Sequence, residues 1–169
     1  MKESVIDILI YLFENYADPE FQNEIESDAE QGSSRDALRD ELIQAGFRVS
    51  AIDSALSWLD TLATTSEKNI VAPTTRAIRV FSDSECSKLD AECRGYVLYL
   101  EHIGILTASQ RELVVDRLID LAPHAGDAAI DLEQVKWAVL MVLFSQPGQE
   151  AAYARMEDLL FSSRAEVLH

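Results

Sequence analysis

The chain has 169 residues, and 30 acidic against 14 basic side chains give it a formal net charge of −16. A chain of this length buries roughly 70% of its unfolded surface, so its core needs no cross-links. With 48% hydrophobic residues, it is not a disordered chain. Two cysteines exclude a disulfide framework, and three scattered histidines argue against a multi-histidine metal site.

The start of the chain lacks the pattern of a secretory signal. Lys2 is followed at once by Glu3, and Asp7 interrupts the apolar residues that come next. The longest apolar run, residues 137–144, is much shorter than the ~20 residues that a membrane-spanning helix needs. We therefore expect a cytoplasmic protein with no membrane partner.

The first predicted helix covers residues 4–16, where apolar side chains recur three and four positions apart. Asp18 and Pro19 end it, because a residue before proline is disfavoured in the α conformation. The acidic and polar residues 18–34 predict a mobile, solvated connection.

Two further helices are predicted before residue 64. The first covers residues 34–45 and ends at Gly46, which accepts the left-handed conformation of a helix C-terminus. Its inward side chains are expected to include Ile43. The second begins at an N-cap, Ser50, and the short connection between the two predicts a helix-turn-helix corner.

A β-hairpin is predicted over residues 70–81. Ile70–Ala72 forms its first strand and residues 77–81 its second, in which Ile78 and Val80 share one face while Arg79 points to the other. Three helices followed by a small hairpin are typical of a winged-helix unit.

The second half is predicted to be helical throughout. Ser82 and Glu85 have the spacing of a capping box, and the same signature recurs at Thr107 and Asp131. The apolar periodicity predicts helices over residues 82–102, 107–121, 131–145 and 149–161.

The predicted fold class is therefore mainly α. Residues 1–81 are expected to form a winged-helix-like three-helix unit with a small β-hairpin. Residues 82–169 are expected to form a C-terminal half that resembles a four-helix bundle, in which the helix over 131–145 is surrounded because its 137–144 segment is apolar on every side.

The chain lacks the common motifs of catalysis. There is no Gly-x-Gly phosphate loop and no Gly-x-Ser-x-Gly elbow. Cys86 and Cys93 share an apolar helical stripe but lie about 10.5 Å apart along a helix, beyond the reach of a disulfide. We expect core packing for both, no catalytic or metal-ligating residue, no cofactor and no enzymatic activity.

Nucleic-acid binding is the alternative function. Arg48, Lys68, Arg76 and Arg79 could gather near the wing and contact phosphates. However, the helix over residues 50–62 carries no lysine or arginine for base contacts. The net charge of −16 also repels phosphate backbones, so nucleic acid is an unlikely partner.

The leading functional hypothesis is a non-enzymatic adaptor that binds another protein. Asp90 and Arg94 lie four residues apart on the predicted helix over 82–102, and Glu101 follows on the same helix. In the simplest interpretation Asp90 and Arg94 form a surface ion pair. In the functional interpretation all three residues form a docking position for a partner. The negative charge predicts that this partner has a basic surface.

Four segments of the chain resemble the bacterial Smg family. They are Ile8–Glu14, Leu89–Tyr96, Val135–Phe144 and Met156–Phe161, while residues 23–34 do not match it. The resemblance implies a small cytoplasmic protein without an established biochemical activity. It also implies a genetic association with DNA-processing and translation genes, and it transfers no catalytic residue.

Overall fold

The structure is a computed structural model, and it describes residues 4–16, 31–65, 78–122 and 129–166. These residues form eight helices and no strand, which confirms the mainly α fold. The chain divides into two compact units, Met1–Leu59 and Asp60–His169. The helices are α1 (Val5–Tyr16), α2 (Gln31–Gln44), α3 (Val49–Thr65), α4 (Asp83–Lys88), α5 (Ala91–His102), α6 (Ala108–Leu121), α7 (Leu132–Phe144) and α8 (Glu150–Glu166).

The first unit is built on α1 and the corner between α2 and α3. The predicted apolar face of α1 is confirmed, since Ile8 and Leu9 are almost completely buried. Gly46 ends α2 with a φ of +93°, and the Phe47 N–H donates to the Leu42 carbonyl at 3.1 Å. This is a Schellman turn. It buries the Phe47 ring, whose edge meets Tyr11 at a centroid distance of 5.6 Å.

Three predictions about α2 and α3 are wrong in detail. Residues 31–33, which we expected in the mobile connection, belong to α2, and the remaining part of that connection lies outside the described residues. Ile43 is exposed, because the Schellman turn brings Phe47 to the buried side of the helix end instead. Ser50 lies inside α3, since the Arg48 carbonyl already accepts from the Ile52 N–H at 3.0 Å.

The predicted hairpin is not supported by the described residues. Residues 78–81 form no strand, and Ile78 and Val80, which we expected to share one face of that strand, are both exposed. The side chain between them, Arg79, is held instead by the carboxylates of Glu85 and Glu112. The first strand and the turn lie outside the described residues, so nothing in the described part supports a winged-helix unit.

The helix predicted over residues 82–102 is two helices. Leu89 has extended φ and ψ angles of −116° and 117°, and it ends α4. Asp90 begins α5 as its N-cap, with its carboxylate accepting from the Cys93 N–H at 2.8 Å. Leu89 also pairs with Ile130 in an isolated parallel bridge. An aspartate side chain can accept hydrogen bonds from backbone N–H groups that follow it in the sequence. Here the Asp90 carboxylate makes such a bond, and the helix predicted over residues 82–102 is interrupted at Leu89 and Asp90.

The second unit is organised around α7, which packs against α5, α6 and α8. Capping boxes begin α6 at Thr107 and α7 at Asp131, as predicted. Residues 135–143 of α7 are all buried, which confirms that other helices surround it. None of the described helices combines the length and the apolar character needed to cross a bilayer.

The last helix, α8, follows a turn in which Gly148 has a φ of +82°. Met156 and Leu160 of α8 are buried, as predicted. Phe161, which we also expected in the core, is exposed. The helix continues to Glu166 rather than ending near residue 161.

Candidate functional site

The most strongly organised polar cluster of the second unit begins at the capping box of α4. The Ser82 hydroxyl accepts from the Glu85 N–H at 3.3 Å, and the Glu85 carboxylate accepts from the Ser82 N–H at 2.7 Å. The second of these bonds restricts the Glu85 side chain, so its carboxylate is held toward the segment that precedes α4.

Arg79 occupies that segment and joins α4 to α6. Its guanidinium donates to both oxygens of Glu85, at 2.6 and 3.2 Å, and its Nε donates to Glu112 Oε1 at 2.8 Å. The guanidinium also lies 4.7 Å from the centre of the Phe81 ring. A planar guanidinium that binds a carboxylate with two hydrogen bonds is restricted in both position and orientation.

Arg111 extends the cluster along α6. It bonds Glu112 Oε1 through Nε and Nη2, at 2.9 and 2.8 Å, and Glu101 Oε2 through Nη1 at 2.6 Å. The result is a continuous chain of ion pairs, which we call the Arg–Glu network. Its members, in order of contact, are Glu85, Arg79, Glu112, Arg111 and Glu101.

The network shifts the pKa values of Glu85 and Arg79. The hydrogen bonds from Arg79 lower the pKa of Glu85 to about 2, against the opposing effect of burial, and the Ser82 N–H adds to the decrease. The same bonds raise the pKa of Arg79 above its ordinary value. Glu85 therefore binds its proton less tightly in the folded chain than in the unfolded one.

A pH-dependent loss of stability follows from Glu85. Because its folded pKa lies below its ordinary value of 4.5, the stabilisation is present above that value and is lost as the pH falls toward about 2. We expect the urea midpoint of Glu85→Gln to be lower at neutral pH and to fall less between about pH 5 and pH 2. Glutamine still completes the capping box, so the variant removes the charge and leaves the cap.

Denaturation series at several pH values test this expectation. Asp158→Asn removes an exposed acid from α8 and is the control, which we expect to keep the wild-type pH dependence. An unchanged pH dependence in Glu85→Gln would contradict the role of the Arg79 pair.

Two apolar side chains flank Arg79 and lie in solvent. Ile78 is 91% exposed and Val80 is 79% exposed, whereas the Arg79 side chain between them is 15% exposed. The three side chains therefore alternate, with the cation directed into the network and the β-branched residues directed away from it. We call Ile78 and Val80 the apolar pair.

The solvent face of α6 is acidic. Most of the helix is buried, including Arg111 and Arg117. Three carboxylates stand four residues apart on its remaining face: Glu112 is 31% exposed, Asp116 66% and Asp120 51%. We call them the acidic stripe. Glu112 belongs both to the stripe and to the network, so Arg79 links the stripe to the segment that carries the apolar pair.

Of the three residues predicted for partner docking, Asp90 and Arg94 contact each other, while Glu101 is bonded elsewhere. Asp90 is the N-cap of α5, and its carbonyl accepts from the Arg94 N–H at 3.1 Å. The Arg94 Nε donates to the Asp90 carbonyl at 3.2 Å, and its Nη1 lies 2.8 Å from Cys86 Sγ. Glu101 accepts from Arg111 in the network. Their role in docking stays a prediction.

The four cations predicted for nucleic-acid contact do not form a described cluster. Lys68 and Arg76 lie outside the described residues. Arg48 is exposed on the first unit, and Arg79 is bonded to Glu85 and Glu112. Since both oxygens of one carboxylate and one oxygen of another occupy the Arg79 guanidinium, it is poorly placed to contact a phosphate.

The two cysteines lie on different helices and are free. The Cys93 thiol donates to the Ile130 carbonyl at 3.4 Å, and burial raises the pKa of Cys93 to about 12. Cys86 is half-buried beside Arg94. Within the part of the chain that the structure describes, no group of three histidine, cysteine or carboxylate side chains could hold a metal ion.

The sequence interpretation missed both features that distinguish this region. The four-residue spacing of the acidic stripe was visible in the sequence. It identifies an exposed acidic face only because the neighbouring positions of α6 are buried. The apolar pair has the pattern of a half-buried strand, so its exposure could not be read from residue type.

Comparison with known proteins gives a family without an assigned activity. The family model described as "Protein of unknown function (DUF494)" matches residues 5–169. Proteins named "Protein Smg homolog" from Methylococcus capsulatus and Stenotrophomonas maltophilia are each 47% identical to this chain, and the one from Halorhodospira halophila is 44% identical. Each alignment covers the whole of both chains. No solved structure matches.

Proposed function

Since this chain belongs to the Smg family, described as being of unknown function, we propose its role from its surface. It is a non-enzymatic adaptor whose second unit binds a protein with a basic surface. The observation that carries this proposal is that the second unit buries three of its cations and exposes the carboxylates that pair with two of them, Arg117 and Lys136.

Three cationic residues of the second unit are buried: Arg111, Arg117 and Lys136. No acidic residue is buried among the residues that the structure describes. The carboxylates that pair with Arg117 and Lys136 are more than half exposed. The long apolar stems of arginine and lysine can pack inside the bundle, whereas the shorter acids stay at its surface. Carboxylates therefore outnumber the buried cations at the surface where these pairs lie.

The acidic stripe is the part of this surface with the most regular geometry. Asp116 and Asp120 project from a helix whose other sides are packed, so their positions are set by the bundle. A basic partner would approach faster under the field of these carboxylates, and salt would weaken the association. Lysine and arginine side chains of the partner would replace water at the carboxylates.

Paired variants of the same chemistry test the proposal. Asp116→Asn with Asp120→Asn removes two charges from α6, and asparagine can still accept a hydrogen bond from Arg117. Asp36→Asn with Asp40→Asn is the matched control, because these exposed acids have the same spacing on α2. Each variant and the wild type would be used for affinity capture from lysate, with quantitative mass spectrometry of the recovered proteins.

We expect one or more basic proteins to be recovered with the wild type and the Asp36/Asp40 variant. Recovery should fall at least about fivefold with the Asp116/Asp120 variant, and also as salt rises from about 50 to about 300 mM. Equal recovery with all three proteins, or no specific partner at either salt concentration, would contradict the proposal.

A further inference from the structure

The apolar pair is costly to leave in water. Ile78 and Val80 expose nearly their whole side chains, and covering such a side chain is favourable in proportion to the area removed from water. Single exposed apolar residues are common on proteins and need no explanation. Here two β-branched residues stand on the same side of one short segment, separated only by an inward-pointing arginine.

The bonds of Arg79 hold the segment that carries the apolar pair in place. Arg79 bonds Glu85 on α4 and Glu112 on α6, and its guanidinium lies against the Phe81 ring. The Ser82 capping box fixes the next residue of the chain. A segment anchored in this way loses little conformational freedom when a partner covers it, so more of the contact energy appears as affinity.

The charges around the pair define what can cover it. Glu112, which bonds Arg79, begins the acidic stripe, and Asp83 is exposed three residues beyond Val80. A phosphate backbone or an anionic lipid surface would be repelled by these carboxylates. An apolar segment that carries lysine or arginine at its edges complements both the side chains and the charge.

We propose that Ile78, Val80 and the acidic stripe together form a docking surface for an amphipathic basic protein segment. The apolar side chains of that segment cover Ile78 and Val80, while its cationic side chains face the more exposed acids of the stripe, Asp116 and Asp120. This inference rests on the proposed adaptor function and adds the place of contact and the kind of segment bound. Contacts with Ile78 and Val80 would supply most of the affinity, and the carboxylates would favour a basic segment over an acidic one.

Three synthetic peptides serve as probes of the full-length protein. One contains lysine and leucine in an amphipathic pattern, the second has serine in place of leucine, and the third has glutamate in place of lysine. Binding is followed by fluorescence anisotropy at about 50 mM salt, where charge contacts are least screened. We expect the lysine–leucine peptide to bind at least about tenfold more tightly than either of the others, which corresponds to about 1.4 kcal/mol.

Substitution of the apolar pair locates the contact. Ile78→Ser with Val80→Ser should weaken binding of the lysine–leucine peptide at least about tenfold and leave the lysine–serine peptide unaffected. Ile43→Ser with Val49→Ser is the matched control, since these residues are the same types and are also exposed, on the first unit. We expect the control to bind like the wild type.

Backbone amide shifts of the wild-type protein give a readout that needs no variant. Titration with the lysine–leucine peptide should move the signals of residues 78–80 and of α6 around Asp116. Shifts confined to other parts of the chain would overturn the docking surface, as would unchanged binding by the Ile78/Val80 variant or equal losses in that variant and its control. Equally tight binding of the glutamate–leucine peptide would overturn the selection by charge.

The outcomes separate this inference from the adaptor function on which it rests. If both lysine peptides bind equally and lose binding only in the Asp116/Asp120 variant, the adaptor function stands and the apolar contact is wrong. If neither lysine peptide binds, and lysate capture also recovers no basic partner, both proposals fail.

Discussion

Leu140→Ala should reduce the free energy of unfolding by about 2–5 kcal/mol, the range for removing a large buried aliphatic side chain. Leu140 lies in the middle of α7 and is almost completely buried. The neighbouring residues of α7 are buried on every side, against α5, α6 and α8. The cavity therefore has packed helices around it and can collapse only in part.

Urea and thermal unfolding measure this effect. For a chain of this size the loss corresponds to a decrease in Tm of roughly 5–15 °C. Leu140→Met is the control, because it nearly conserves volume and should cost less than about 1.5 kcal/mol. A cost below about 1 kcal/mol for the alanine variant would mean that α7 is less tightly enclosed than the structure indicates.

Arg111→Met should cost about 3 kcal/mol, because it removes a buried cation and leaves its acidic partners close together. The Arg111 side chain is 6% exposed and contacts Glu101 and Glu112. Glu112 keeps its bond to Arg79, so the larger electrostatic loss falls on Glu101. Glu101 is 28% exposed, so water can partly replace its lost ion pair. We therefore expect a cost at the lower end of the range for breaking a buried ion pair.

A second substitution distinguishes charge from packing. Adding Glu101→Gln to Arg111→Met should recover more than about 1 kcal/mol, because the unpaired carboxylate is then absent. Arg155→Met is the control. Arg155 is exposed and donates one hydrogen bond to the Ile103 carbonyl at 2.9 Å, so its loss should cost less than about 1 kcal/mol. No recovery in the double variant would show that Arg111 acts through the packing of its stem.

Features that depend on local chemistry were predictable from the sequence. The capping boxes at Ser82, Thr107 and Asp131 and the helix end at Gly46 were all located correctly. The enclosed position of α7 followed from its uninterrupted apolar residues. Each of these depends on neighbours within about five positions, which a sequence displays directly.

Features that depend on distant contacts were not predictable. The break at Leu89 is accompanied by a backbone pairing with Ile130, which is 41 residues away. The positions of Glu101 and Glu112 around Arg111 require α5 and α6 to pack. Periodicity alone extended one helix through Asp90, because an aspartate at a helix start and one on a helix surface look the same in a sequence.

The isolated bridge between Leu89 and Ile130 has a consequence for how the second unit unfolds. The Ile130 N–H donates to the Lys88 carbonyl at 3.2 Å, and the Ile130 carbonyl accepts from the Cys93 thiol. The chain entering α7 is therefore fastened to the junction of α4 and α5, and α5 and α6 lie between these two points in sequence. Fraying at the start of α7 would break both bonds to this junction, which couples the opening of α7 to that of α4 and α5.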